Sequence, residues 1–319
     1  MNLVRQGMIN EIYKLQGKRR ILIAMVLPTI LILGSFVYMH VNRSSADHVF
    51  HRESQIRHEL EQDQTAYSSV EPSLRASLHN QIQFMQYEVS NHVTQGLPNS
   101  PFLSNVSSFT ISIIWPLIVI ILGGDMISAE VSDGTMKSML LRPLGRSRIY
   151  LSKFLTILLL CISIEIFLDI LAYLGLVTFG HWNPFSGSVM LGYSLIGGLI
   201  NVTALYTAPV WIMSIVALLL TIISMSSMIS LVLMISTLLR NPAMATATSL
   251  LLILGSSILN LFVQLPLLNF LPMNNYDLVS ILQGGMPTTF SQALFLLIAW
   301  TLGTGAIGYF YFTRRDFSL

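Results

Sequence analysis

The sequence predicts an all-α integral membrane protein with six transmembrane helices, and three observations predict it. Of the 319 residues, 53% are hydrophobic and only 10% are charged, whereas a soluble domain needs about 25% charged residues to cover its surface. Six apolar runs each approach or exceed the ~20 residues that cross a bilayer. The basic residues between them alternate in density from one loop to the next, which is how charge orients membrane helices. One or two ordinary water-soluble domains are thereby excluded. The formal net charge of +2 is no nucleic-acid signature. The single cysteine, Cys161, excludes a disulfide framework, a redox pair and a cysteine zinc site. Within its apolar run it reads as a packed core thiol.

Residues 1–20 form a predicted cytoplasmic amphipathic helix. Val4, Met8, Ile12 and Leu15 recur at helical spacing, with Arg5, Glu11, Lys14 and Lys18 elsewhere on the wheel. Such a helix lies in the membrane interface before the chain turns inward. Residues 21–41 hold span one, whose apolar run Ile21–Met39 is too long and starts too late for a cleaved signal peptide. Residues 42–104 are the only polar domain. Leu74, Leu78, Ile82, Met85 and Val89 make a helical stripe, and Ser68 to Pro72 reads as a turn after a first helix carrying Ile56 and Leu60. The prediction is an extracytoplasmic helical hairpin whose stripe is buried against Ile56 and Leu60 or against a second subunit. His48 and His51 share a helical face there, but no third ligand is evident, so a solvated face is the reading rather than a metal site.

Residues 105–319 form the five-span core. Span two covers Val106 to Ile127 with a kink expected at Pro116. Spans three to six are Phe154 to Phe179, Pro209 to Leu239, Ala243 to Phe262 and Ala293 to Phe312. Val189 to Tyr206 and Leu265 to Phe290 are apolar but broken by Gly and Pro, and read as interfacial or re-entrant segments. With these spans, 13 of the 17 Lys and Arg fall on one side, leaving Arg43, Arg52, Arg57 and Arg75 on the other. Both termini are therefore expected in the cytoplasm and the span count is expected to be even.

No phosphate loop, dinucleotide fingerprint, HExxH or nucleophile elbow is present. The chemistry-bearing segment is instead the cytoplasmic loop, residues 128–153. A short helix leaves span two, stops near Gly134, and is followed by a second that breaks before Pro143. Positive-inside charge explains the basic residues of this loop but not Glu130 or the two breaks.

The pattern Asp125, Glu130-x-x-x-Gly134-Thr135-x-Lys137-x-x-Leu140-x-x-Pro143-x-x-Arg146 and Lys153 resembles that of the membrane subunit of bacterial ABC transporters, in the type-2 export permease family. Arg240-Asn241-Pro242 and the ending Phe312-Thr313-Arg314-Arg315-Asp316-Phe317 are similar to the same family's short loop and tail. The large outer hairpin is similar to that of bacterial permeases linked to peptide-antibiotic resistance, drug efflux or cation extrusion. The resemblance implies a permease that does no covalent chemistry. It works with a second permease subunit, identical or homologous, and with two copies of an ATPase subunit that binds the ATP and Mg. It also implies a coupling surface built from Glu130, Gly134, Thr135, Lys137, Arg142, Pro143 and Arg146, with Glu130 and Lys137 as polar contacts. No cofactor is expected in this chain.

Glu165 and Asp169 lie four residues apart near the middle of span three, on one face with Cys161. Charges at that depth cost several kcal/mol unless paired, protonated or wetted. They read either as protonated acids bonded to serines such as Ser224, Ser226, Ser227 or Ser230, or as the lining of a translocation path. Two rival functions stay open. One is a proton-coupled secondary transporter using Glu165 and Asp169. The other is a non-transporting immunity or sensor protein with the hairpin as receptor.

Overall fold

A computed structural model of the chain describes residues 2–41, 52–66, 72–90, 110–136, 145–180, 188–192, 194–196, 199–201, 206–262, 266–284 and 288–315. It is mostly helical. Among the described residues, five segments are long and apolar enough to cross a membrane: Arg20–Val37, Thr110–Ser132, Arg146–Gly175, Val210–Leu238 and Phe290–Arg314.

The helices are α1 (Asn2–Gly17), α2 (Arg20–Val41), α3 (Arg52–Ala66), α4 (Pro72–Ser90), α5 (Trp115–Gly123), α6 (Ser128–Ser132), α7 (Arg146–Gly180), α8 (Val210–Leu238), α9 (Pro242–Phe262), α10 (Leu278–Gln283) and α11 (Phe290–Arg314). A π turn, Thr110–Ile114, leads into α5, and Pro116 occupies the first turn of that helix. A proline's missing N–H is harmless there, so the break expected at this proline is a change of helix type ahead of it. The apolar part of α9, Pro242–Ser256, is shorter than the five spanning segments.

The centre of the bundle is α8. It packs against α11 most extensively and also against α5, α7, α9 and α10. Its buried face is rich in small polar residues because helices in lipid gain more from close approach than from exchanging one apolar neighbour for another. Ser230 donates to the Thr301 carbonyl at 2.8 Å and lies 2.7 Å from the Thr304 hydroxyl on α11. Gly308 of α11 meets Met234 and Tyr150 so closely that a Cβ would overlap the tyrosine hydroxyl. Cys161 is fully buried, as a packed thiol should be.

Strands form where none were expected. β1 (Ser188–Leu191) pairs antiparallel with β4 (Tyr206–Pro209), and β2 (Ser194–Ile196) pairs with β3 (Leu199–Asn201). The nested pairing is one excursion that leaves and returns. Gly197 and Gly198 separate β2 from β3 in sequence, and paired glycines are a hairpin-turn signal. The segment Leu265 to Phe290 is likewise not a span; its described part is two 3-10 turns and α10.

The packing sorts these elements to two ends. At one end, α1 lies on the first turns of α7, and Arg146 of α7 donates to the carbonyls of Thr313 and Arg315 at 3.0 and 2.9 Å. Arg315 in turn bonds the Thr237 carbonyl of α8. Cations thus cover the carbonyl ends of two helices, where the helix dipole favours them. At the other end lie β1 to β4, α10 and the 3-10 turns, with Gly192 N–H bonded to the Gln283 carbonyl. There α4 contacts both α3 and β3, and Ile56 and Ile82 are both 7% exposed. Leu78, Met85 and Val89 are half-buried.

Candidate functional site: a charged joint and an acidic span

The α1 helix buries the face its apolar stripe describes, with Val4, Met8 and Ile12 half-buried and Leu15 buried, and Glu11 lies within that face. Its inward residues are Leu15 and Glu11, at 4% and 2% exposure, while Ile9 and Tyr13 are exposed. The reason lies on α7. Ser152 leaves room for Gly7 of α1, where a Cβ would meet the serine Oγ at 3.0 Å. One residue further, Lys153 is fully buried, and Glu11 turns inward to meet it at 3.1 Å.

Glu130 completes the joint. Its two carboxylate oxygens stand 2.6 Å from Lys14 Nζ and 2.8 Å from Lys153 Nζ, and Lys14 also reaches Glu11 at 3.3 Å. Two carboxylates and two ammonium groups from α1, α6 and α7 therefore form one neutral cluster. Partial burial alone would lower the Lys14 pKa, but the Glu130 and Glu11 carboxylates outweigh it and raise the group above its ordinary value. A second pair stands beside the cluster. Arg20, the first residue of α2, meets both oxygens of Asp125, with Nη2 to Oδ2 at 2.6 Å.

The chain reaches this position because α5 ends at Gly123 and Gly124. A Cβ at the first would lie 2.9 Å from Ile157, and at the second 2.7 Å from the Ile120 carbonyl. The freed N–H groups of Ile127 and Ser128 donate to Ser236 Oγ at 3.1 and 3.2 Å, which anchors the start of α6 on α8. The turn beyond α6 is exposed from Ser132 to Thr135. Gly134 has φ +69 with open space around it, a left-handed conformation that glycine adopts without the Cβ penalty. Thr135 Oγ1 bonds back to the Glu130 carbonyl at 3.3 Å.

Of the residues expected to form a coupling surface, Glu130, Gly134 and Thr135 fall on this one element. Arg146 lies on the far side of the break and caps α11. Lys137, Arg142 and Pro143 lie outside the described residues, as do His48 and His51. Glu130 is only 9% exposed. Both oxygens are engaged inside the chain, so its carboxylate has little surface to offer another protein. The inward turn of Glu11 and its pairing with Lys153 go beyond the sequence, where Glu11 reads as a solvated charge and Lys153 as an orientation-setting one. The available signal was an acid amid the apolar stripe of α1 and a lysine inside the helical turns of span three.

Glu165 and Asp169 lie on α7 above the joint. Glu165 is half-buried, Asp169 is exposed at the helix surface, and neither has a basic partner among the described residues. Three of the four expected serine partners bond elsewhere: Ser224 donates to the Tyr276 carbonyl at 2.7 Å, Ser226 to Ile222 within its own helix, and Ser230 to Thr301, while the buried Ser227 Oγ has no hydrogen-bond partner among the described residues. Among the described residues no group of three or more His, Cys, Asp or Glu is placed to hold a metal ion.

Fold and site together define a multi-pass helical membrane protein with a neutral charge cluster at one end of its bundle. The chain belongs to a family described as protein of unknown function (DUF2705), whose model matches residues 72–318. It is also similar to the uncharacterized protein YhcI of Bacillus subtilis (strain 168), with 24% identity over 258 residues, covering 77% of this chain and 78% of the relative.

Proposed function

We propose that this chain is the transmembrane subunit of an ATP-driven ABC exporter in a bacterial cytoplasmic membrane. It would export a substrate such as a peptide antibiotic, drug or cation. In this reading six helices cross the membrane, α9 among them, and both termini are cytoplasmic. A second permease subunit and two ATPase subunits complete the machine. The carrying observation is the turn after α6. It is exposed from Ser132 to Thr135, yet its base is fixed to α1, α7 and α8 by ion pairs and by Ser236. A turn held that way would transmit a push from a docked protein into the interfacial helix α1 and the two spanning helices α7 and α8 at once. Within it, Gly134 sets the shape of the docking surface, and Glu130 acts as a positioning residue rather than as the direct contact expected from the sequence.

The test is affinity purification of the full chain from native membranes in mild detergent. The expected result is a stoichiometric partner carrying a phosphate-loop ATPase domain, with ATP hydrolysis in the eluate. Ion-gradient-driven flux through the chain alone would favour the proton-coupled reading. The observation in that reading's favour is that Glu165 and Asp169 have no basic partner among the described residues.

A further inference from the structure

A groove of about 540 Å³ runs along α2 where that helix passes α7. Its mouth is polar, formed by Gln16 at the end of α1 and Arg19 at the joint between α1 and α2. Its walls are apolar, including Leu22, Val26 and Ile30 of α2 and Phe167 of α7. All four of these wall residues are exposed, Leu22 and Ile30 at 60% and 63%. We propose that this groove is a binding site for one anionic phospholipid, with the phosphate on Arg19 and Gln16 and an acyl chain along α2.

Four observations carry the assignment. Arg19 has φ +54, and no other non-glycine residue described has a positive φ. The left-handed residue closes α1, its N–H bonded to the Gln16 carbonyl at 3.0 Å, and the position is filled by a cation rather than by the glycine that such a helix end favours. Its neighbours Lys14 and Arg20 are both neutralised by carboxylates. Arg19 has no hydrogen bond or ion pair from its side chain among the described residues and is exposed. A guanidinium fork matches two phosphate oxygens. The depth also fits. At ~1.5 Å per residue, Ile21 to Ile30 rises about 14 Å, close to half the ~30 Å hydrocarbon core and hence to one leaflet. The lipid is anionic because a zwitterionic headgroup would bring its own cation against Arg19. The inference rests on the membrane-embedded fold alone, and stands or falls independently of the exporter reading.

Native mass spectrometry of the purified full-length chain in detergent tests it, with phosphatidylglycerol and phosphatidylcholine of identical acyl chains as probes. The expected result is about tenfold tighter retention of phosphatidylglycerol. Arg19→Gln should remove most of that preference and Arg19→Lys should retain part of it. Arg314→Gln, at the same end of the bundle but outside the groove, should leave it unchanged. Val26→Trp, which fills the groove without touching Arg19, should weaken phosphatidylglycerol retention severalfold, and this arm decides the matter if Arg19→Gln does not fold. Equal retention of the two lipids, a preference untouched by Arg19→Gln, or full retention in Val26→Trp would each overturn the proposal.

Discussion

Two sets of charges sit on the same helix and meet opposite treatment. Near its start, Lys153 of α7 is fully buried between the carboxylates of Glu11 and Glu130. Three to four turns further on, Glu165 and Asp169 have no basic partner among the described residues. The difference separates two uses of charge. At the joint, charge holds three elements in register, because a buried ion that loses its partner is far costlier than one that keeps it. In the span, the acids have no basic partner among the described residues, and intramembrane acids of that kind carry protons, cargo or partner contacts more readily than they carry stability.

The largest effect expected from breaking this contrast is at Lys153. Lys153→Met leaves Glu11 and Glu130 sharing only Lys14, and should destabilise the chain by about 3–5 kcal/mol, read as a fall in its unfolding midpoint in detergent. Adding Glu11→Gln should recover part of the loss by removing the uncompensated charge. An unchanged midpoint in the single variant would mean that the cluster is not a structural joint.

Arg20→Lys comes next. It keeps the charge but gives up the two-pronged contact with Asp125, so about 1.5–3 kcal/mol should be lost. In the span, by contrast, Glu165→Gln and Asp169→Asn should change the midpoint by no more than about 1 kcal/mol, since no ion pair is broken. If these acids line a path, flux in proteoliposomes should fall while folding does not. A large drop in stability from either variant would place them with the joint instead.

The smallest effect is at Lys14, whose side chain is 39% exposed. Lys14→Met should cost up to about 1 kcal/mol after solvent screening. Because the folded state raises its pKa above the ordinary 10.5, that contribution is fully present below 10.5 and disappears as pH climbs through the elevated folded value. Unfolding midpoints of the two proteins measured across that range should therefore converge at the alkaline end.

The helices were legible in the sequence because their cause is local. Apolar runs such as Val210 to Leu238 leave few alternatives in a bilayer, and Gly134 announced a turn. The hairpin signal at Gly197-Gly198 was also present, yet was outweighed by the apolar character of the surrounding run. The joint was legible only in part. Glu130 stood out as unexplained by orientation-setting charge, but pairing Lys153 with both Glu11 and Glu130 joins residues more than twenty apart on one side and more than a hundred apart on the other. No periodicity within one helix encodes such a partner. The burial of Glu11 within the apolar face of α1 follows from that pairing and from Ser152 admitting Gly7, so it too could be read only once the helices were packed.

The account's central claim is that the turn after α6, rather than the charges beneath it, meets an ATPase. Gly134→Val tests it most directly. A Cβ at the site meets nothing within 4 Å, but φ +69 is a conformation that a β-branched residue resists. Membrane level, unfolding midpoint and the amount of co-purified ATPase should be measured on the same preparations. The account predicts a near-normal level, a midpoint within a few degrees of the parent, and a clear loss of the ATPase. Undiminished ATPase recruitment by a well-folded Gly134→Val chain, or no ATPase with the parent chain at all, would contradict it.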